Sequence, residues 1–272
     1  MGNQLMTDQP LSSDERRQKY AVPALEKGLD IIERLADEAV PVTQSQLARA
    51  LGRQPGELFR MLACLEGRDY VRRDPATGGY MLTLKLFELS RIHSPYEALL
   101  TAARPYMRQL ADTVRESCHL SVLNRNHVLV LAQEESPKPF RLSVEVGSVH
   151  SALRTNSGRL LLASLPVAER AALLADEPEW AKLAVKERRA LDGRLQQIAE
   201  TGVAISIGER FTGGADIGVL VGGAGHSVAA ALTIAVLVDA GKDADVAHLV
   251  EPLREMAQAI NRTIGLEPTA PR

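Results

Sequence analysis

The feature that most constrains this chain is the punctuation of its first 82 residues. Three stretches of helical periodicity are cut by Gly, Pro and cap residues and run straight into a short hairpin pattern. Pro23 suits a first helical turn, where its missing N–H would be unpaired in any case. Leu25, Leu29, Ile32 and Leu35 then recur at helical spacing, which predicts a helix over 23–37. Thr43 is a good N-cap for a short helix carrying Leu47, Ala48 and Leu51, and Gly52 supplies the turn that ends it. Pro55 opens a third helix with Leu58, Met61, Leu62 and Leu65 inward, stopped by Gly67. Two short helices around a glycine turn are a helix-turn-helix pattern. A strand at 70–73, a turn at 74–79 and a returning strand at 80–82 add a wing.

A helix that enters a major groove needs an apolar inner face and donors on the outer one. The outer positions of the third helix are Gly56, Glu57, Phe59 and Arg60, with Gln54 just ahead. Arg60 can reach guanine or a phosphate, Gln54 adenine or a phosphate, and Glu57 the amino group of cytosine. Gly56 exposes bare N–H groups at a helix start, a natural phosphate site. The formal net charge of the 272 residues is −2, so basic charge must be local to favour DNA. It is: Arg49, Arg53, Arg60, Arg68, Arg72 and Arg73 face only Glu57, Glu66 and Asp69 in that window. The candidate DNA contacts are therefore Thr43, Gln44, Arg53, Gln54, Gly56, Glu57, Phe59, Arg60, Arg72 and Arg73, with Thr77 and Gly78 of the wing.

The rest of the chain reads as a second, larger unit. A connecting segment at 83–95 holds a short helix with Leu84, Phe87 and Leu89, and Ser94–Pro95 marks the boundary. A long helix follows at 96–116, with Leu99, Leu100, Met107, Leu110 and Val114 as its inner stripe and Pro105 as a possible kink. Strands are expected at 118–124, 127–133, 140–146, 203–207, 216–222 and 228–237. Helices are expected at 155–165, 167–175, 187–201 and 243–264. Antiparallel strands flanked by helices make an α+β sensor-type domain.

Composition excludes several classes. Hydrophobic residues make up 45%, enough for a core without staples. Cys64 and Cys118 both fall in apolar periodic segments and read as buried thiols, consistent with a reducing cytoplasm. The polar residues 1–20 read as a disordered tail, and no apolar run is long enough for a bilayer. The six histidines lack metal-ligand spacing, and no Gly–x–Ser–x–Gly elbow or phosphate loop is present, so no cofactor, metal or enzyme activity is expected. His150 and His226 fall in expected loops, Arg154 on the surface, and Asp216 at a solvent-facing turn.

These residues also resemble a known family. "VPALEKGLDIIERLA" followed by "TQSQLARALGRQPGELFRMLACLEGRDYVRRDPATGGYMLTLKLFELS" resembles the IclR family of bacterial transcription regulators. "CHLSVLNRNHVLVLAQEE", "TNSGRLLLASLP" and "TGVAISIGERFTGGADIGVL" match it more loosely and in the expected order. The resemblance implies a winged helix-turn-helix at 21–82, a linker helix at 83–95 and a GAF-like effector-binding domain at 96–267. It implies a homodimer or homotetramer on a palindromic double-stranded operator, with affinity set by a small-molecule effector, an organic acid. Where the family opens its recognition helix with Lys, Ser and Thr, this chain has Pro55, Gly56 and Glu57, so a different operator is expected. The matching effector positions are Asn156, Ser157, Gly158, Ser206, Ile217, Thr233 and Ala235, with Arg141 and Arg154 near enough in sequence to add charge. Two other readings stay open from the residues alone: a sensor that docks a partner protein, and a metabolite-processing enzyme.

Overall fold

The computed structural model describes residues 20–92, 96–210, 212–223, 228–238 and 246–266. The chain divides into two compact units, with the division between residues 94 and 95.

The first unit holds α1 (Pro23–Ala36), α2 (Gln44–Ala50), α3 (Pro55–Gly67), the strands β1 (Val71–Arg73) and β2 (Tyr80–Leu82), and α4 (Lys85–Ile92). Its core is Ile31, Leu35, Leu47, Ala48, Leu58, Leu62, Val71 and Tyr80. A fully buried Leu or Ile contributes about 1.5–3 kcal/mol relative to exposure, so this short list carries most of the unit's stability. The turn between α2 and α3 is a Schellman motif. Gly52 sits at φ +62°, its N–H donates to Arg49, and the Arg53 N–H donates to the Ala48 carbonyl at 2.8 Å.

The end of α3 corrects the sequence reading. Gly67 is the last helical residue, not the stop. The left-handed residue is Asp69 at φ +62°, and the Tyr70 N–H donates to the Leu65 carbonyl at 2.9 Å. Asp tolerates this conformation better than most residues with a side chain. Cys64, expected to be buried, is exposed on α3.

The second unit is a six-stranded antiparallel sheet. Its strands are β3 (Ser117–Asn124), β4 (His127–Glu134), β5 (Val149–Ser151), β6 (Val203–Ile207), β7 (Gly214–Gly222) and β8 (Ala229–Leu237), in the order β5-β4-β3-β8-β7-β6. Around it stand α5 (Glu97–Val114), α6 (Asn156–Ser164), α7 (Val167–Ala175), α8 (Pro178–Lys182), α9 (Val185–Thr201) and α10 (Val250–Thr263), the last preceded by a 3-10 turn. Side chains alternate across a strand, so the sheet has two faces of different chemistry. Cys118, Leu120, Ile217, Val219, Leu232 and Ile234 pack with Leu99, Met107 and Leu110 of α5 and Leu253 and Ile260 of α10. The other face meets α6, whose Leu160, Leu161 and Leu162 join a second cluster with Leu195 and Ile198 of α9.

The strand expected at 140–146 is absent. The segment alternates Phe140, Leu142, Val144 and Val146, yet Phe140 is 83% and Val146 55% exposed. Gln133 on β4 explains this: its side-chain carbonyl accepts from the Val144 N–H and its amide donates to Ser143 Oγ at 2.6 Å. The true edge strand is β5, where His127 pairs with Ser151. His150 thus lies in a strand, not a loop; His226 and residues 243–245 of the closing helix lie outside the described residues.

Candidate functional site

The helix-turn-helix is held by contacts that use several of the residues expected to touch DNA. Thr43 caps α2 in a reciprocal box with Gln46, whose Oε1 accepts the Thr43 N–H at 2.8 Å. The Gln44 side-chain amide donates to the Pro55 carbonyl at 2.7 Å, pinning the start of α3 to α2. Arg53 pairs with Asp30 of α1 at 3.2 Å, and Lys27 of α1 pairs with Glu57 at 2.6 Å. The Lys27 ammonium holds the Glu57 carboxyl below the usual carboxylate range, helped by the Gln54 N–H. Four of the expected contacts therefore tie α2, α3 and the turn to their own domain.

What remains outward is a stripe at helical spacing: Gly56, Phe59, Arg60, Ala63 and Cys64, all exposed. Phe59 is 58% exposed, a cost in water for a side chain with no partner surface. Arg60 has no hydrogen-bond or ion-pair partner among the described residues. Gln54 and Arg72 are exposed beside this stripe in sequence, as are Arg49 and Arg68. A helix face of small residues around one arginine and one phenylalanine has the chemistry for base edges: an arginine can donate to guanine and an aromatic ring can meet a thymine methyl.

In the wing, Arg73 is exposed but engaged within the hairpin. Its Nε donates to the Gly78 carbonyl at 3.0 Å and its guanidinium lies 5.7 Å from the Tyr80 ring centre. Thr77 donates its hydroxyl and, at 3.0 Å, its N–H to Asp74, and these bonds lower the Asp74 pKa. Gly78 adopts φ +68°, which favours glycine.

In the second unit the sheet brings together residues far apart in sequence. His119 pairs with Thr233 across β3 and β8, and Thr233 with Gly218 across β8 and β7. The start of α6 lies over this row: a Cβ on Gly218 would stand 3.3 Å from Asn156 Nδ2. A small cavity of ≈30 Å³ lies there, lined by His119, Val130, His150, Asn156, Ser157, Arg210, Asp216 and Thr233 among others. The Thr233 hydroxyl is buried and has no hydrogen-bond partner; so is the Ser121 hydroxyl on the same sheet face. An unpaired buried hydroxyl is costly, and polar cavities of this size commonly hold water.

Of the expected effector residues, Asn156, Ser157 and Thr233 line this cavity. Asn156 is also braced, its amide donating to the Ala204 carbonyl at 3.0 Å. Gly158 serves packing: its N–H is taken by Thr155 Oγ1 at 3.2 Å, and a Cβ there would overlap the Ala152 carbonyl. Ser206 and Ala235 stand in register with Asp216 but do not line the cavity. Ile217 faces the opposite way, fully buried in the core with α5 and α10, because it is one step along the strand from Asp216. Asp216 is no solvent-facing turn residue; burial pushes its carboxyl up. Arg154 points outward to Glu179 at 3.0 Å, and Arg141 pairs with Glu135.

His119, His150, Arg210 and Asp216 were not among the expected site residues. One signal existed: 117–122 alternates Ser, His, Ser with Cys, Leu, Val, a strand with a polar face. Burial drives the His119 imidazole down to about 4, so it is neutral near pH 7. A larger cleft of ≈820 Å³ opens among α7, α8 and α9, but alanine, leucine and Trp180 dominate its walls and neither orphan hydroxyl faces it.

The comparisons with known proteins agree with this division. Residues 24–75 match the IclR helix-turn-helix domain, and residues 96–262 match the bacterial transcriptional regulator IclR C-terminal domain. A glycerol operon regulatory protein of Streptomyces griseus is 26% identical over 246 residues, covering 90% of this chain and 97% of that protein. The HTH-type transcriptional repressor AllR of Klebsiella pneumoniae is 25% identical over 249 residues, covering 91% and 92%. An IclR homologue of Microbacterium hydrocarbonoxydans, solved with 4-hydroxybenzoate, superposes with a TM-score of 0.74 at 23% identity over 90% of this chain and 100% of that one. Among the described residues no helix is long and apolar enough to cross a membrane. Carrying both of the family's domains in order, the chain belongs to the IclR family of DNA-binding transcription regulators, whose relatives are named as regulators and repressors rather than enzymes.

Proposed function

We propose that this regulator reads its operator with the Gly56–Phe59–Arg60 stripe of α3, and that a small organic acid held between α6 and the sheet sets its DNA affinity. The observation that carries the effector half is the buried, unpartnered Thr233 hydroxyl, facing a cavity that also holds His119, His150 and Arg210. Convergent polar groups beside the apolar Val128, Val130 and Val144 are what recognition of a small polar molecule requires. The 4-hydroxybenzoate complex of the Microbacterium homologue supports an acid as the class. At ≈30 Å³ the cavity is smaller than any such ligand, so binding requires it to widen.

Two copies are needed for a palindromic site, with their α3 helices in successive major grooves about 34–36 Å apart. Leu84, Leu86 and Leu89, at or beside α4, are 73%, 38% and 41% exposed, and such a row of leucines favours contact with a second chain. A ligand that fits one spacing of the paired helices better than the other shifts the equilibrium by that difference in affinity. Thermal-shift screening of small organic acids, followed by operator binding with each hit, tests this reading. Hits that stabilise the wild type but not a Thr233→Val variant, and that change operator affinity, are expected. Hits that act equally on both proteins contradict the site.

A further inference from the structure

The cavity beneath α6 has an antechamber. A second space of ≈440 Å³, lined by His150, Ser151, Arg154, Thr155, Arg159, Glu209 and Arg210, lies on its outer side. Three residues line both spaces: His150, Thr155 and Arg210. The inner space fits about one water; the outer one falls within the range of small-molecule sites. The Arg210 guanidinium stands 3.3 Å from His150 Nδ1, on the boundary between them.

Charges around that boundary are unevenly matched. Arg159 of α6 and Arg194 of α9 both hold Glu209, at 2.6 and 2.7 Å, and Arg154 holds Glu179. Arg210 has no carboxylate partner within ion-pair reach among the described residues; its contact is the imidazole of His150. Asp216, on the inner cavity, feels the Arg210 charge but makes no ion pair with it, and burial favours its uncharged form, so Arg210 is left with a place for an anion.

The geometry points to Arg210 and His150 as a gate: a carboxylate entering the antechamber draws Arg210 off the imidazole and opens the inner cavity to the ligand. This rests on the reading of the cavity as the effector site and adds how the ligand is admitted. A proton accompanies the exchange. With Arg210 as donor, Nδ1 of His150 must be an acceptor, while Nε2 lies 2.9 Å from Ser148 Oγ, so the imidazole is neutral. Burial and then the Arg210 charge depress its basicity. Pairing Arg210 with a carboxylate cancels that charge and frees Nδ1 to take a proton. The other titratable or charged groups around this boundary are His119 on β3, Asp216 on β7, Glu209, Arg159, and Arg154 with its partner Glu179; His119 stays neutral through burial. Anion affinity must then rise as pH falls.

The test is calorimetric titration of the full chain with acetate, pyruvate and 4-hydroxybenzoate between pH 6 and 8, in buffers of differing ionisation enthalpy. At least one anion is expected to bind with net proton uptake, its Kd rising by up to about tenfold per pH unit. Arg210→Gln should weaken that binding at least about tenfold, the size expected for loss of a charge-assisted pair. His150→Gln should still bind, without proton uptake. Arg210 is exposed and His150 half-buried, so both variants should keep the wild-type melting temperature. Binding that is unchanged in Arg210→Gln, or proton uptake that is absent in the wild type or persists in His150→Gln, overturns the gate and leaves the effector site standing. Failure of the wild type to bind any of the three anions contradicts the effector site as a carboxylate pocket, and the gate falls with it.

Discussion

Lys27 Nζ and Glu57 Oε2 lie 2.6 Å apart, joining α1 to the first turn of α3. This pair places a carboxylate on the helix proposed to read DNA without leaving its charge unmatched. Glu57→Gln removes the negative charge and releases Lys27 toward the phosphate backbone. DNA affinity should rise severalfold, and the slope of log K against log salt should steepen by about one, as for one added phosphate contact. Binding titrations at several salt concentrations measure both. A weaker complex would mean that Glu57 reads a base.

Gly158 is buried where α6 crosses the chain at Ala152, and a methyl group there overlaps backbone. Gly158→Ala should destabilise the second unit by about 1–3 kcal/mol, the usual cost of overpacking. Chemical unfolding followed by circular dichroism measures it. Wild-type stability would show that the two segments part easily.

The two thiols should differ sharply in reactivity. Burial pushes the Cys118 thiol up to about 12, and its Sγ is within 3.3 Å of the Met107 carbonyl, whereas Cys64 is exposed on α3. Iodoacetamide at pH 8 should label Cys64 in the native protein and Cys118 only after unfolding, because the thiolate is the nucleophile. Mass spectrometry of the labelled peptides reads the outcome, and native labelling of Cys118 would contradict its burial.

His119 makes stability depend on pH. Its imidazole is depressed from 6.5 to about 4 in the folded chain, so the unfolded chain binds the proton first. Above pH 6.5 the effect is nil. As pH falls from 6.5 toward 4, the unfolding free energy should drop by up to about 1.4 kcal/mol per unit from this group. Asp216, raised by burial, acts in the opposite direction within the carboxylate range, so the cleanest window is pH 6.5 to 5. Denaturant titrations of His119→Gln should show a shallower pH dependence there; an unchanged slope would exclude His119 as its source.

The first unit was legible because its signals are local. Pro23, Gly52 and Pro55 each fix a helix end through their own backbone and Thr43 through its hydroxyl, and the structure uses each as expected. Which outward residues are available for DNA was not legible. Arg53 and Glu57 looked like groove residues until Asp30 and Lys27, more than twenty positions away, were found holding them. In the second unit the strands followed from alternation, except at 140–146, where one glutamine side chain diverts the ladder. The cavity is built by register between β3, β7 and β8, and a one-residue step decides whether Asp216 or Ile217 faces it. Periodicity gives the alternation but not the face, so it could not show that Ile217, matched to the pocket by the family resemblance, turns into the core while Asp216 turns to the cavity. His150 and Arg210 meet across sixty positions, which no local pattern records.

The most direct test of the account is fluorescence anisotropy of the wild type and Arg60→Ala on DNA selected from a random pool by the wild-type protein. The account predicts that Arg60→Ala loses about 1–3 kcal/mol on the selected site, with binding to unrelated DNA weakened far less. Equal affinity of the two proteins for the selected site would contradict the placement of α3 in the groove.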